Sequence, residues 1–185
     1  MMLTKDMRLE IRARRKPFVE MNGKLVPGSI PFLKELIAKE KDLLDCDALL
    51  GELAGEYLRA DLDDEHLLVQ RQRVALHPDA AVKWLGLAHS LSMRGNDVEA
   101  KEAVAKAIEI SRRTDALVRY ALTCQAAVAR QANDSALFER TLRALIDDAS
   151  NYREDDSGWD DRIVADLPAG FCSTELVAEY RNLLE

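Results

Sequence analysis

The segment Trp84-Leu85-Gly86-Leu87-Ala88-His89-Ser90-Leu91 has a counterpart 34 residues earlier, Leu50-Gly51-Glu52-Leu53-Ala54-Gly55-Glu56-Tyr57. The pairs Leu53/Leu87, Ala54/Ala88 and Tyr57/Leu91 are in register. Each copy is followed, after a polar break, by a second helical pattern, which ends at His77-Pro78 in the first case and at Ile110 in the second. A period near 34 residues predicts stacked helical hairpins, because one such hairpin cannot bury its apolar face alone.

The helices of these two hairpins are predicted from apolar spacing and from capping residues. Asp47 is expected to cap a helix over about 48–59, and acidic residues start the next one, over 64–76. Asp79 is expected to cap a helix over 80–93, which is followed by a helix over 98–112.

A third hairpin follows with an offset of one to three residues. Thr114 or Asp115 is expected to open a helix over 116–130, and a helix over 135–147 completes the pair. The intervening turn, Arg130-Gln131-Ala132-Asn133-Asp134, is similar to Arg94-Gly95-Asn96-Asp97. From that similarity we expect Asp97 and Asp134 each to cap the second helix of its hairpin.

The N-terminal segment has strand features. Apolar and charged residues alternate over 8–14, which predicts a strand. The dipeptide Asn22-Gly23 lies between short apolar runs and predicts a small β-hairpin, with a loosely ordered arm as the alternative. Pro27-Gly28 ends this segment, and Ser29 is expected to cap an amphipathic helix that extends to about Leu44.

The C-terminal segment does not follow the repeat. Residues 148–169 are acidic and rich in turn residues, and Ser173 then caps a last amphipathic helix. Such a helix commonly covers the apolar end of a repeat stack. We therefore expect three regions: a basic arm or β-hairpin over 1–28, a helical repeat domain over 29–147, and an acidic segment with a capping helix over 148–185.

The composition agrees with a soluble all-α protein. Aromatic residues make up only 5% of the 185, and apolar residues 48%, which favours close helix packing. No run of 18 uncharged apolar residues and no apolar run of signal-peptide length occurs, so a cytoplasmic protein without a membrane segment is expected.

Charge is distributed unevenly along the chain. Residues 1–41 hold ten Lys/Arg and five Asp/Glu, whereas the remainder holds 16 and 28, so a head of +5 precedes a body of −12. The basic residues Arg8, Arg12, Arg14, Arg15 and Lys16 are candidate contacts for a polyanion. A nucleic-acid-associated regulator is therefore the alternative function, although the acidic body repels nucleic acid and binding to it is not expected.

No motif indicates catalysis. The sequence lacks GxGxxG, GxxxxGK[ST], GxSxG and HExxH patterns, so we expect no enzymatic activity and no cofactor. The three cysteines are widely spaced and without CxxC, and the three histidines lack neighbours at metal-ligand spacing. We expect reduced thiols and no metal, and we interpret the Asp pairs as solvated turns or caps.

These residues resemble the tetratricopeptide repeat (TPR), whose pattern is W-x2-L-G-x2-Y, then A-x3-F, then P. The second hairpin matches best, at Trp84, Leu87, Ala88 and Leu91, and again at Ala100, Val104 and Ala107. The first hairpin keeps Leu53, Ala54, Tyr57 and Pro78, and the third keeps Tyr120 and Ala136 with irregular spacing. The resemblance covers about residues 47–146. It implies about three stacked helical hairpins, an all-α fold with a capping C-terminal helix.

The resemblance also implies a function. TPR proteins bind peptides or partner helices in a concave groove lined by the first helix of each hairpin. Carried over to this sequence, that groove presents Glu52, Gly55, Arg59, Val82, Leu85, His89, Ser92, Val118, Ala121, Gln125 and Val128. The set is mostly apolar or neutral, so an apolar or amphipathic partner segment is expected rather than a charged C-terminus.

The expected role is protein-protein interaction, as a scaffold or as a chaperone-like holder of a protein or peptide segment. Three alternatives stay open at this point: a structural piece of a larger assembly, a homo-oligomer, and a groove filled by the chain's own residues 160–185.

Overall fold

Two compact units make up this computed structural model, residues 1–78 and 79–185. The structure describes residues 3–16, 18–21, 24–40, 43–149 and 161–183. The first unit consists of α1 (Lys5–Ala13), β1 (Phe18–Met21), β2 (Lys24–Pro27), α2 (Ser29–Lys39), α3 (Leu43–Arg59) and α4 (Asp63–Leu76). The second consists of α5 (Ala81–Met93), α6 (Asp97–Thr114), α7 (Val118–Gln131), α8 (Ser135–Ala149), a 3₁₀ helix (Asp161–Ile163) and α9 (Thr174–Asn182). The boundary at Pro78 lies inside the range 29–147 that was expected to be one domain.

The predicted architecture is confirmed. Helices pack as the pairs α3/α4, α5/α6 and α7/α8, a two-stranded antiparallel hairpin precedes them, and α9 packs on α8. Phe18 pairs with Pro27 and Met21 with Lys24. The predicted turn residues Asn22 and Gly23, and residues 150–160 of the acidic segment, lie outside the described residues.

The predicted strand over 8–14 is wrong, because this segment is the helix α1. Ile11 is 1% exposed, and Leu3 and Met7 pack against the same core, so the buried positions recur every four residues. Thr4 begins the helix by accepting a hydrogen bond from the backbone N–H of Met7 at 3.2 Å. Leu9, which the alternation placed with Ile11, is exposed. An alternation over only seven residues did not distinguish the two-residue period of a strand from the 3.6-residue period of a helix.

The helix predicted from Ser29 to Leu44 ends at Lys39, and α3 begins at Leu43. Neither predicted cap in this region acts as one. Ser29 lies inside α2 and donates its hydroxyl to Glu56 of α3, and Asp47 lies inside α3 and accepts a bond from Arg73 of α4 at 3.0 Å. Both side chains join neighbouring helices instead of ending their own.

The three hairpins share one turn geometry. The first helix of each ends in a residue with a left-handed backbone, and the next residue donates its N–H to a carbonyl five positions back, as in a Schellman motif. The left-handed residues are Asp61, Gly95 and Asn133, and the closing bonds are Leu62 to Tyr57 (3.0 Å), Asn96 to Leu91 (3.0 Å) and Asp134 to Ala129 (2.8 Å).

These turns define the register of the repeats. Tyr57 and Leu91 are equivalent, as the 34-residue period predicts, but the third turn follows the second by 38 residues. The extra length lies mainly in α6, which has 18 residues where α4 has 14. Four residues are close to one helical turn, so the buried face of α6 stays nearly in phase after the insertion.

This register corrects several capping predictions. Asp134 caps α8 by accepting the backbone N–H of Leu137 at 3.0 Å, as predicted. Its counterpart in the second hairpin is Asn96, so Asp97 is the first residue of α6 and not its cap. Asp79 is paired with Arg113 at 2.7 Å rather than capping α5. The two residues expected to open the third hairpin, Thr114 and Asp115, instead end α6 and form its C-cap.

Small residues let the helices of the second unit approach closely. Ala88, Ala100, Ala107 and Ala126 are fully buried between the helices. At the end of this unit the ring of Phe138 meets that of Phe171 edge to face, with centroids 5.3 Å apart. Ser173 caps α9 as predicted, through the N–H of Leu176 at 3.2 Å.

Candidate partner-binding face

Equivalent positions of α5 and α7 form a candidate interaction face within the second unit. The two helices pack against each other, and Gln131 of α7 donates its side-chain amide to the carbonyl of Ser92 at 2.6 Å. The 38-residue register makes Val82 equivalent to Tyr120, Gly86 to Cys124 and His89 to Ala127. We call this set, together with Met93 and Leu117 at the helix ends, the α5/α7 face.

The α5/α7 face is apolar and open to solvent. Val82, Met93, Leu117 and Tyr120 are each 49–52% exposed, and His89 and Ala127 are exposed as well. Leu117 also has a left-handed backbone, with φ +64°, which costs a non-glycine residue about 1 kcal/mol. Clustered apolar exposure is characteristic of interaction sites on soluble proteins, whereas single exposed apolar residues are common everywhere.

Several residues predicted to line the groove point into the protein instead. Leu85 and Ser92 of α5 are 3% and 4% exposed, and Ala121 and Val128 of α7 are 0% and 4% exposed. Their burial excludes direct contact with a partner in this conformation.

The α7 residues were misplaced because the third hairpin was aligned 36 residues after the second instead of 38. Two residues correspond to a rotation of 200°, which moves a position to the opposite side of a helix. Val118 and Gln125 are half-buried, and Gln125 bonds to Thr141 of α8. Tyr120 and Ala136, matched to buried family positions, are exposed for the same reason.

The remaining predicted groove residues lie in the first unit, on α3. Glu52 and Gly55 are half-buried, whereas Arg59 is exposed and bonds to Glu56 within its own helix. A Cβ at Gly55 would lie 3.3 Å from the Arg59 guanidinium, so this glycine lets the arginine lie flat on the helix.

A buried carboxylate organises the first unit. Glu56 is 0% exposed and accepts bonds from Ser29 (2.8 Å), from Arg15 (2.8 Å) and from Arg59. Burial alone would raise the pKa of Glu56, but the bonds from Arg59, Ser29 and Arg15 outweigh it and hold the pKa below its ordinary value. The cluster therefore joins the segment after α1, the start of α2 and the end of α3.

Two of the five candidate polyanion contacts have internal partners. Arg15 binds Glu56, and Arg14 binds Glu10 at 2.7 Å while lying 4.2 Å from the Phe32 ring centroid. Arg8, Arg12 and Lys16 are exposed. The nucleic-acid alternative stays an untested prediction that would depend mainly on these three.

Burial of Cys124 on α7 makes it a poor nucleophile. Desolvation raises the pKa of its thiol to about 11, although a hydrogen bond with Tyr120 acts in the opposite direction. Cys46, Cys124 and Cys172 form no disulfide. Within the described ranges, no group of three or more His, Cys, Asp or Glu side chains is arranged to hold a metal ion.

Residues 161–183 pack at the end of the second unit. The 3₁₀ helix meets α7, where Arg130 donates to the Arg162 carbonyl at 2.9 Å, and α9 packs on α8. Val82, Met93, Leu117 and Tyr120 are exposed with this segment in place. The described part of the C-terminal segment thus leaves the α5/α7 face open, contrary to the alternative that it fills the groove.

No family model matches the sequence, and no curated protein matches it. Among solved structures, the N-terminal domain of stress-induced protein-1 (STI-1) from C. elegans is similar, with a TM-score of 0.53 and 15% sequence identity. The match covers 79% of this chain and 100% of that domain. At this identity the similarity concerns the fold alone, which is TPR-like. No described helix is both long and apolar enough to span a bilayer.

Proposed function

We propose that this protein is a protein-protein interaction module, a scaffold or chaperone-like protein, that holds an apolar or amphipathic segment of a partner on the α5/α7 face. The observation that carries the proposal is the repetition of half-exposed apolar side chains at equivalent positions of two adjacent helices, Val82 on α5 and Tyr120 on α7. A helix-in-groove complex needs such a row of apolar contacts on one side.

The chemistry of the face supports an apolar partner over a charged one. None of its defining positions holds Lys, Arg, Asp or Glu. A partner's terminal carboxylate is held best by several Lys, Arg or amide donors, whereas the donors at these positions are the His89 imidazole, the Cys124 thiol and the Tyr120 hydroxyl. A partner Leu or Phe that covers this face would instead contribute about 1.5–3 kcal/mol when fully buried.

Pull-down from native lysate with matched variants tests the proposal. Val82→Glu and Tyr120→Glu each place a carboxylate in the face at an exposed position, so both should fold normally and lose the partner. Val98→Glu is the control, because Val98 is 70% exposed on α6, outside the face. A photo-crosslinker at position 89 should attach to an apolar or amphipathic segment of the recovered protein.

The proposal fails if wild-type protein and all three variants recover the same proteins in equal amounts. It also fails if the crosslinked segment is highly charged, because such a segment would gain nothing from apolar contacts.

A further inference from the structure

A second surface lies on the other side of α7, in a cavity of about 540 Å³ that we call the unit-2 trough. Leu122 and Gln125 of α7 form its floor. Ile108 and Arg112 of α6 form one wall, and Arg140 and Thr141 of α8 form the other. Leu122 follows Tyr120 by two positions, or 200° around the helix, so the trough and the α5/α7 face use opposite sides of α7.

The first unit has an equivalent trough of about 360 Å³ between α2 and α4, with α3 as its floor. The turn register relates the two troughs by 72 residues. The equivalent pairs are Leu50/Leu122, Leu53/Gln125, Leu68/Arg140 and Val69/Thr141. Three apolar positions of the first trough are thus polar in the second.

Gln125 and Thr141 form a hydrogen-bonded polar pair in the unit-2 trough. Thr141 is 2% exposed, and its hydroxyl lies within hydrogen-bond distance of the Gln125 side-chain oxygen at 3.0 Å and of the Leu137 carbonyl at 2.8 Å, of which its single proton serves one. The first trough shows that Leu and Val can fill the same positions without burying polar atoms. In either arrangement the Gln125 side-chain amide, which has two N–H donors, uses at most one of them on Thr141.

The walls of the trough add positive charge. Arg112 and Arg140 both line the trough and are exposed, and the charge of Arg140 also acts on Asp134 at the start of α8. The acidic wall residue, Glu109, already accepts two bonds from Lys106, at 2.9 and 2.8 Å. The trough therefore has two guanidinium groups on its walls, and one amide beside an apolar side chain on its floor. This combination suits a carboxylate that is attached to an apolar group.

We propose that the unit-2 trough binds an acidic amphipathic helix of a partner protein. A Glu or Asp side chain of this helix binds Arg112, Arg140 and the Gln125 amide, and a neighbouring apolar side chain packs over Leu122 and Ile108. The proposal is independent of binding on the α5/α7 face.

Fluorescence anisotropy with a labelled helical peptide tests the proposal. The probe carries Leu and Glu at i, i+3 and i+4 spacing, and a second peptide has Lys in place of every Glu. Arg140→Leu and the double variant Gln125→Leu/Thr141→Val introduce the residues of the first trough, and Arg112→Ala changes an exposed wall residue only. Arg94→Leu, in the turn between α5 and α6, is the control, because it removes the same charge at an exposed position of the second unit that does not line the trough.

We expect the Glu peptide to bind the wild type and the Arg94→Leu variant equally. Arg112→Ala and Arg140→Leu should each weaken binding about two- to fivefold, because both arginines are exposed, and the double variant about tenfold through loss of a hydrogen bond to a charged group. Raising the salt concentration should weaken binding further. If the double variant does not fold, Arg112→Ala decides the test. This variant should fold normally, because the Arg112 side chain is exposed and makes no described hydrogen bond.

Three results would overturn the proposal: equal binding of the Lys and Glu peptides, equal weakening by Arg94→Leu and by the trough variants, or no binding of the Glu peptide. Tight binding of octanoate without peptide binding would assign the trough to a small amphiphile and would overturn it as well.

Discussion

Replacing Glu56 by Gln should destabilise the first unit selectively. Glu56 is fully buried and links three segments through Ser29, Arg15 and Arg59. Gln has nearly the same shape, so the substitution removes charge without leaving a cavity. It also replaces one acceptor oxygen by an NH₂ group, which cannot accept a bond from either arginine or from the serine.

The expected loss of stability follows from how exposed the hydrogen-bond partners of Glu56 are. Ser29 is fully buried, and its bond to a charged group contributes about 1.5–3 kcal/mol. The side chains of Arg15 and Arg59 are 36% and 48% exposed, so water can replace their contacts and each pair adds about 0–1 kcal/mol. Because Gln retains one acceptor oxygen, we expect a loss of about 2 kcal/mol, or about thirtyfold in the folding equilibrium.

Hydrogen exchange measured by mass spectrometry is the suitable assay, because peptides from the two units are read separately. Amides of α3 that exchange through unfolding should lose about thirtyfold in protection, while α7 serves as an internal reference. Glu52→Gln, on the same helix but half-buried, is the matched control. If Glu56→Gln changes protection by less than threefold, or if Glu52→Gln has an equal effect, the assigned role of the cluster is wrong.

The same cluster gives a pH dependence with a defined sign. The pKa of Glu56 in the folded protein is held below its ordinary value of 4.5. A lowered carboxylate pKa contributes stability that is complete above the unfolded pKa and is lost as the pH falls through the folded pKa. The difference in stability between wild type and Glu56→Gln should therefore be constant near neutral pH and should shrink below pH 4.5. A difference that grows on acidification would contradict the assignment.

Three further predictions concern the second unit. Asp134→Ala should lower its free energy of unfolding by about 1 kcal/mol through loss of the helix cap, whereas Asp97→Ala should change it little, as urea denaturation of both variants will show. Leu117→Asn should raise stability by about 0.5–1 kcal/mol, since Asn tolerates a left-handed backbone, yet should weaken partner recovery in the pull-down. Native Cys124 should resist iodoacetamide at pH 8, because its pKa of about 11 leaves little thiolate, and rapid labelling followed by peptide mapping would contradict its burial.

Two surfaces on one helix would make α7 a link between two partners. Tyr120 contributes to the α5/α7 face, and Leu122 and Gln125 contribute to the unit-2 trough. The two sites can be tested separately, because Tyr120→Glu leaves the trough residues unchanged and Arg140→Leu leaves the face unchanged.

The sequence predicted most of the helices, the β-hairpin and the alignment of the first two repeats. These features depend on short-range rules, namely apolar spacing, the Asn-Gly turn and the recurrence of Leu53 and Leu87. Such features can be predicted because the order of residues along a short segment decides which of them lie on the same side of a helix.

The N-terminal helix and the third repeat were harder to predict. The segment 8–14 satisfied a strand pattern as well as a helical one, and only the packing of Ile11 and Met7 against the core of the first unit decided between them. Asn133 is the residue that would have corrected the alignment of the third repeat. It has the same left-handed backbone in the third turn as Gly95 has in the second. Asn and Gly both tolerate that conformation, so aligning the turns by their left-handed residue gives 38 residues.

The sequence by itself determined that this protein consists of helical hairpins, because the spacing of apolar residues in each helix shows which of its sides is buried. Which apolar side chains stay exposed was decided only by the tertiary structure. A helix shows which of its positions are apolar, but Leu85 and Val82 are both apolar, and only the neighbouring helices decide that Leu85 is buried and Val82 exposed. The physical reason is that exposure depends on what covers a position, and that cover comes from residues distant in the chain.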